Sequence, residues 1–354
     1  MRIAIEAASL ALTSGGLARY TGELSLALAR AHPEDEFFLV SDQPFRMPEG
    51  APPNLRRGGG PSNAMERRWW LWGLPCELDR LGATLVHGPD FSVPYLPRRP
   101  SVLTLHDLSP WLNPAWHCGA GRVRRRTPIL LESGLATMVI TPTESVRAQA
   151  LDRFRLRPDR VVAVPEAAPA WCRPMPRPVA ETPETPYFLF VGALEPRKNL
   201  PALLEAWREV RKRCLVDLLL VGRARADAPP LPSQAGLKLA GELPDADLPK
   251  VYSGALAFVY PSRYEGFGLP VLEAMQCGAC VIASHAVSEA AGDAALYADS
   301  VRDLVRTMTA VAEQPDLAAA FREKALAHAA GFSWERTARL TYAVYQEACR
   351  RFGD

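Results

Sequence analysis

The sequence predicts an α/β protein that is built from two doubly wound parallel sheets. Short apolar runs alternate with longer amphipathic runs along the chain, which is the pattern of a parallel sheet covered by helices. This alternation occurs in two sets, and a chain of 354 residues is long enough for two domains. We expect two Rossmann-like domains that face a central cleft, because ligands of such sheets bind outside the carboxyl ends of the strands.

Each set of apolar runs predicts its own group of strands. The first set begins with a buried strand at the N-terminus. It continues at residues 37–41, 84–87, 101–105, 138–141 and 161–164. The second set predicts strands at residues 187–192, 215–222, 237–240, 255–260 and 279–283.

A proline-rich segment separates the two sets. Residues 166–186 contain repeated prolines, which lack the amide donor that a helix or a central strand requires. We therefore expect a first domain at 1–165, a linker at 166–186 and a second domain at 187–332. Residues 333–354 predict a helix capped by Ser333, which closes the chain and returns toward the first domain.

Composition excludes several classes of protein. The formal net charge of +2 provides no overall field that would attract nucleic acid, so we expect no nucleic-acid partner. The most apolar stretches are far shorter than the roughly 20 residues that cross a bilayer. Glu6 interrupts an N-terminal run that otherwise resembles a signal peptide, which favours a cytoplasmic protein. Cys277 and Cys280 have CxxC spacing without a second pair, so we interpret them as buried small hydrophobic residues.

Three sequence features could bind a ligand at the ends of predicted strands. Gly15 and Gly16 open a helix, where backbone amides can approach a phosphate, although an ordinary strand-to-helix turn is equally consistent. Arg197 and Lys198 precede a second helix and could neutralise a diphosphate, with a solvated basic turn as the alternative. His106 and Asp107 follow a predicted strand, although such a histidine is often an ordinary core or loop residue. The weaker candidates His87 and Asp90 lie at the end of the preceding predicted strand and could equally just shape their loop.

The most specific segment runs from Tyr260 to Met275. It combines a strand end, a glycine loop, and Pro270, which suits a first helical turn. Glu265 lies in the loop and Glu273 in the helix, and both carboxylates could accept hydrogen bonds from sugar hydroxyls. Alternatively, they are a solvated loop acid and a carboxylate that complements the helix dipole. Consecutive amides that could bind an anion come from Gly266, Phe267, Gly268 and Leu269.

These motifs resemble those of retaining glycosyltransferases of family 4, which have the two-domain GT-B fold. Glu265 and Glu273 are separated by seven residues, as in the E-x7-E signature of that family. The resemblance extends to Arg197-Lys198, Gly15-Gly16 and His106-Asp107, and it covers nearly the whole chain. It is strongest for mannosyltransferase-type members that build surface polysaccharides.

The resemblance implies a role for each motif. Glu265 would contact the transferred sugar, and Glu273 the ribose of a nucleoside diphosphate sugar. Arg197 and Lys198 would hold the diphosphate, aided by Gly16 and the amides after Glu265. His106 would bind the donor sugar and organise the reacting centre, with Asp107 on the donor side. One departure is Ala193, where many relatives have arginine or asparagine, so the diphosphate would depend more on the two cations.

Metal ions and cofactors are not expected. Asp245 and Asp247 imitate the metal-binding DxD motif of another transferase architecture, but Asp247 is placed to cap a helix. Cationic side chains and amides can take the place of a metal at a diphosphate. We therefore expect no metal and no cofactor.

Two segments of the first domain are candidates for the acceptor side. One contains Trp69 and Trp70 beside two arginines, and the other contains Arg124 and Arg125 among apolar residues. Such mixtures suit a lipid-linked acceptor or a peripheral contact with the inner face of the membrane. The alternative is core tryptophans with a solvated arginine face.

The resemblance to family 4, together with these observations, implies a retaining, metal-independent hexosyltransferase. We expect transfer from a nucleoside diphosphate sugar, GDP-mannose first and a UDP-sugar second, to a hydroxyl of a glycan or lipid-linked acceptor. A nucleotide-sugar epimerase of the same fold and an inactive sugar-nucleotide or polysaccharide binding protein are the alternatives.

Overall fold

The computed structural model describes residues 1–12, 15–116, 119–176, 185–225, 228 and 230–352. The chain divides into two compact units. The first consists of Met1–Glu166 and Ser333–Asp354, and the second of Ala167–Phe332. Residues 177–184 of the predicted linker lie outside the described part of the chain.

The first unit contains a seven-stranded parallel sheet with the order β3-β2-β1-β4-β5-β6-β7. The predicted strands are confirmed within one or two residues, and β3 is an additional short strand that the sequence analysis missed. The strands are β1 (Arg2–Glu6), β2 (Glu36–Val40), β3 (Leu55–Arg57), β4 (Leu85–Gly88), β5 (Ser101–Thr104), β6 (Met138–Thr141) and β7 (Val161–Ala163).

The second unit contains a six-stranded parallel sheet with the order β10-β9-β8-β11-β12-β13. Its first five strands were predicted, and the two-residue β13 was not. The strands are β8 (Tyr187–Val191), β9 (Asp217–Val221), β10 (Leu237–Gly241), β11 (Ala257–Tyr260), β12 (Val281–Ala283) and β13 (Leu296–Tyr297). Strand order reverses between β1 and β4 in one sheet and between β8 and β11 in the other, so each is doubly wound.

Helices connect the strands of both sheets. In chain order they are α1 (Gly16–Ala31), α2 (Leu74–Arg80), α3 (Ser109–Leu112), α4 (Gly121–Glu132), α5 (Glu144–Phe154), α6 (Leu200–Arg211), α7 (Leu248–Gly254), α8 (Leu269–Gln276), α9 (Ser288–Ala291), α10 (Val301–Glu313), α11 (Pro315–Ala329) and α12 (Trp334–Arg351). Among the residues described, no helix is both long and apolar enough to cross a bilayer.

The C-terminal helix α12 is part of the first unit. Its N-terminus is capped as predicted, because the Ser333 hydroxyl accepts a hydrogen bond from the amide of Arg336 at 3.2 Å. The hydroxyl of Thr337 then donates to the carbonyl of Pro165 at 2.7 Å. The bond from Thr337 holds the start of α12 beside Pro165, close to the point where the segment Met1–Glu166 ends.

A buried polar chain joins α12 to the first sheet. Nδ1 of His87 lies 2.7 Å from the Tyr345 hydroxyl, and its Nε2 lies 2.8 Å from Oγ1 of Thr104. Thr104 is in turn 3.1 Å from the hydroxyl of Tyr20. Burial lowers the pKa of His87 to about 3, so the ring is neutral at physiological pH. His87 therefore has a structural role in the core, which favours the alternative that it shapes its surroundings over a role in binding a ligand.

Two glycines allow the ends of β8 and β9 to approach closely in the second unit. The amide of Gly192 donates to the carbonyl of Val221 at 2.9 Å. Gly222 has φ +136°, and a Cβ atom there would lie 2.0 Å from the carbonyl oxygen of Gly192. Because both atoms of this contact belong to the backbone, no side-chain movement can relieve it. The contact sets the start of the loop that carries Arg197 and Lys198.

The substitution Gly222→Ala is expected to reduce the free energy of unfolding by about 2–4 kcal/mol. Positive φ costs about 1–2 kcal/mol for a non-glycine residue, and the backbone clash adds a comparable strain. Gly241→Ala is the matched control, because Gly241 has φ +67° and no atom in the described part of the chain lies within 4 Å of its Cβ position. Urea denaturation of both variants measures the difference, and equal losses would contradict this account.

Candidate active site

The main cluster of charged side chains lies at the carboxyl edge of the second sheet. Arg197 and Lys198 follow β8, and Glu265 follows β11. These two strands are hydrogen-bonded neighbours at the point where strand order reverses. The fold therefore brings together residues that are almost 70 positions apart, at the place where open α/β sheets bind ligands.

Glu265 contacts both cations of this cluster. Its Oε1 accepts a hydrogen bond from Nζ of Lys198 at 2.6 Å, and its Oε2 accepts one from Nη1 of Arg197 at 3.1 Å. Nζ of Lys198 also donates to the Tyr260 hydroxyl at 2.5 Å, and Arg197 donates to the carbonyl of Tyr264 at 2.9 Å. The carboxylate thus fixes the positions of two side chains that were predicted to bind a diphosphate.

Two further members of the cluster were missed in the sequence. Glu195 is 3% exposed and accepts hydrogen bonds from Arg197 at 2.8 Å and from Arg225 at 2.7 Å. Glu195 lies inside the motif that carries Arg197, and Arg225 follows β9 at the same sheet edge. Their positions just after strand ends are the sequence feature that could have identified them as members of the site. Three cations face two carboxylates, which leaves one net positive charge.

The ionisation of the cluster follows from burial and pairing. Burial by itself would raise the pKa of Glu265, but the positive charges of Arg197 and Lys198 hold it at about 2. Burial lowers the pKa of the Lys198 ammonium, and the negative charge of Glu265 opposes this effect. Glu265 is therefore a carboxylate throughout the physiological pH range.

The glycine loop after Glu265 leads directly into α8. Gly268 immediately precedes this helix with φ +103°, and a Cβ atom there would lie 2.7 Å from a methyl group of Val287. Phe267 is buried with its ring against Phe332, at a centroid distance of 6.1 Å. Pro270 occupies the first turn as predicted. The backbone from Gly266 to Leu269 is thus held at a helix N-terminus, where amides favour an anion.

Glu273 lies within α8 and is 1% exposed. The hydroxyl of Tyr252 donates a hydrogen bond to its Oε2 at 3.0 Å. The structure therefore gives Glu273 a buried partner in the second unit, and its contact with a ribose stays a prediction.

The predicted glycine pair stands at the start of α1 in the first unit. Gly15 has φ +114° and precedes the helix, and Gly16 is its first residue. No atom of the described residues lies within 4 Å of the Cβ position of Gly15. The conformation requires glycine, which is consistent with a turn and with a close approach of a ligand.

His106 is held on both sides by hydrogen-bond acceptors. Its Nε2 donates to the carbonyl of Pro89 at 2.7 Å, and its Nδ1 lies 3.3 Å from Oε1 of Glu166. Its ring meets the ring of Tyr20 edge-on at 4.6 Å. Burial lowers the pKa of His106, but the hydrogen bond and negative charge of Glu166 outweigh it and raise the pKa above 6.5. Glu166, which the apolar and turn patterns of the sequence do not single out, therefore favours the protonated form of the ring.

Asp107 and Asp90 occupy neighbouring loops of the first unit. Oδ1 of Asp107 accepts hydrogen bonds from the amide and the hydroxyl of Ser109, at 2.8 and 2.6 Å, at the start of α3. Asp107 therefore stabilises its own loop, and its role on the donor side stays a prediction. Burial raises the pKa of Asp90, against the positive charges of His106 and Arg126.

The acceptor-side candidates differ in exposure. Trp69 is 3% exposed and packs in the core with Leu74 and Leu78, which favours the core alternative over a contact with the acceptor. Trp70 is partly buried beneath the guanidinium of Arg126, at 5.2 Å from the ring centroid. On α4, Arg124 is half-buried and Arg125 is exposed.

Two features that suggested metal sites have other environments. Asp247 occupies the N-cap position of α7 as predicted, although its side chain makes no capping bond to a described residue. Asp245 lies in the turn before it. Cys277 and Cys280 are free thiols that are 1% and 0% exposed, which confirms their interpretation as buried hydrophobic residues.

Comparison with known proteins identifies both halves of the chain. Residues 14–170 match the family model of Glycosyltransferase Family 4, and residues 185–314 match that of Glycosyl transferases group 1. The chain is 34% identical to O-antigen chain mannosyltransferase B of Escherichia coli over 74% of each protein. It is 29% identical to the serotype-specific mannosyltransferase WbdA of Escherichia coli over 68% of this chain and 32% of that protein.

A solved structure supports the fold. The crystal structure of Anabaena HepE in complex with UDP-glucose has a TM-score of 0.75 and 17% identity, and covers 98% of this chain and 100% of the other. The two parallel sheets, of seven and six strands, are those of the GT-B architecture. Together with the family models and the O-antigen relative, they show that the chain is a glycosyltransferase that belongs to family 4.

Proposed function

We propose that the protein is a retaining mannosyltransferase that uses GDP-mannose and extends a surface polysaccharide. The observation that carries this proposal is the Glu265–Arg197–Lys198 cluster, which lies where a sheet of this kind binds its ligand. The choice of mannose is supported by the named activity of the Escherichia coli relatives.

The diphosphate of the donor is assigned to Arg197 and Lys198. Their carboxylate partners hold both cations in place before a ligand arrives, so little reorganisation is needed. The cluster retains one net positive charge, and the amides at the start of α8 add partial positive charge. Stabilisation of the leaving diphosphate by these groups requires no metal ion.

Glu265 is assigned to the transferred sugar and Glu273 to the ribose. The carboxylate of Glu265 is ionised, so it can only accept hydrogen bonds, as sugar hydroxyls require. Gly15, Gly16 and Asp107 are assigned to the donor side by resemblance. A hydroxyl that binds His106 has to replace one of its two present acceptors, and the 3.3 Å contact with Glu166 is the longer of them.

Neither glutamate is needed as a nucleophile in this proposal. The bond between the sugar C1 and the phosphate oxygen breaks, and the acceptor oxygen attacks C1 from the same face. The acceptor proton passes to an oxygen of the departing diphosphate. Configuration at C1 is then retained, and the nucleoside diphosphate leaves with the proton.

The acceptor is assigned to a glycan that is carried on a lipid. Arg124 and Arg125 on α4, with Trp70 nearby under Arg126, combine cations with an aromatic side chain. Such a surface suits a lipid-linked phosphate or a peripheral contact with a membrane.

The melting temperature of the protein is measured with each of a panel of nucleotide sugars in the presence of EDTA. GDP-mannose is expected to raise the melting temperature most. It should also donate mannose to mannoside acceptors under the same conditions, with retention visible in the proton NMR spectrum of the product. Complete loss of transfer with EDTA and recovery with magnesium would contradict the metal-independent mechanism. Conversion of the donor without an acceptor would indicate an epimerase, and binding without turnover an inactive binding protein.

The two glutamates are expected to affect different kinetic constants. Glu265→Gln should lower kcat about 100-fold or more, because Glu265 is assigned to the reacting sugar and also holds the two cations in position. Glu273→Gln should mainly raise KM for the donor, because a ribose contact acts in the ground state and transition state alike. Glu323→Gln, an exposed change of the same kind on α11, is the control. Wild-type constants in both site variants would refute the assignment.

Glu166→Gln is expected to lower the pKa of His106. The charged pair contributes stability below pH 6.5 that is lost as pH rises through the raised pKa of the folded protein. Removal of the negative charge of Glu166 should therefore move the alkaline limb of the pH profile of kcat/KM to lower pH. The negative charge of Asp90, which also raises the pKa of His106, remains and limits this shift. Nitrogen NMR titration of the ring measures the shift directly. Asp152→Asn, an exposed change on α5, is the control, and an unshifted titration in Glu166→Gln would disprove the coupling.

A further inference from the structure

The first unit contains a pocket that several arginines line. Its volume is about 400 Å³, and it lies at the amino ends of β6 and β7, beside the C-terminal ends of α4 and α5. His106 follows the carboxyl end of β5 in the same parallel sheet, so the pocket lies at the opposite sheet edge. No part of the proposed transfer reaction accounts for it.

Arginine dominates the polar lining of this pocket. Four arginines and one glutamate line it: Arg153, Arg155, Arg157, Arg160 and Glu132. Arg157 is paired with Asp159 at 2.8 Å. The other three form no salt bridge with any residue that the structure describes. The lining therefore offers an excess of positive charge that the surrounding protein does not neutralise.

Arg160 is the most constrained of these side chains. Its Nη1 would lie only 3.0 Å from a Cβ atom at Gly134, which has φ +72°, so the guanidinium rests against that backbone. Its Nε is buried and donates to no acceptor within the described ranges. A buried donor without an acceptor is unfavourable, so the protein alone does not fully satisfy this guanidinium group.

The floor of the pocket is apolar. Leu131, Phe154 and Val161 line it and are each at most 5% exposed. The exposed guanidinium groups of Arg153 and Arg155 stand at its rim. An anion that carries an apolar or neutral portion fits this combination better than a free inorganic ion does.

We propose that this pocket binds a phosphate ester, with Arg155 and Arg160 as its main contacts. Guanidinium groups match phosphate oxygens with paired, charge-assisted hydrogen bonds, and several of them around one cavity strengthen the attraction of a phosphate group. The ester is either a small soluble molecule or the headgroup of an anionic lipid. The site is separate from the donor site, and the proposal does not depend on the identity of the donor.

The test compares two ligands and three double variants of the full chain. Glycerol 3-phosphate is titrated by calorimetry, and vesicles of phosphatidylglycerol and phosphatidylcholine are tested by co-sedimentation. Arg155→Gln/Arg160→Gln removes the main contacts, and Arg153→Gln/Arg155→Gln changes only exposed side chains and so preserves folding. Arg46→Gln/Arg339→Gln is the matched control, because both residues are exposed on the same unit and it removes the same charge.

The expected result is at least a tenfold rise in Kd in both pocket variants, with the control within twofold of the wild type. If the pocket variants lose binding of glycerol 3-phosphate, the ligand is a soluble ester. If they lose only binding to phosphatidylglycerol vesicles, the ligand is a lipid headgroup. The proposal is overturned if the wild type binds neither ligand. It is also overturned if the control loses as much binding as the pocket variants, because the effect would then be one of overall charge.

Discussion

The placement of Glu265 between Arg197 and Lys198 is the interaction on which the site depends. A carboxylate with its pKa held at about 2 keeps two cations fixed in a largely buried position. Charges buried in this way are costly unless they are paired, and the loss of one partner would leave the others uncompensated. The cluster is therefore organised before any ligand binds, as electrostatic stabilisation of a leaving group requires.

The sheet of the second unit makes this cluster possible. β8 and β11 are neighbours because the chain places β9 and β10 on one side and β12 and β13 on the other. The loops that follow β8 and β11 must then meet at one edge. The close backbone contact of Gly192 and Gly222 fixes where the first of these loops begins, and Gly268 fixes where the second enters α8. Backbone geometry thus positions the charges.

In the first unit, two histidines with similar positions in the sequence differ in the hydrogen-bond partners of their rings. His87 lies in β4 and His106 just after β5, and both are largely buried. His87 lies between two hydroxyl groups, and burial keeps its pKa low, whereas His106 faces a carbonyl and the carboxylate of Glu166, which raise its pKa despite burial. A carboxylate partner on the ring nitrogen thus opposes the effect of burial at His106, and His87 has no such partner among the described residues.

The sequence by itself determined the two parallel sheets, most strand positions, the Ser333 cap and the motif residues Arg197, Lys198 and Glu265. Apolar periodicity and local turn chemistry encode these features over short spans. Tertiary structure alone decided that Glu195, Arg225 and Glu166 join the charged sites, that Trp69 is in the core, and that arginines around Arg160 form a pocket. These outcomes depend on contacts between distant residues, which local patterns do not encode.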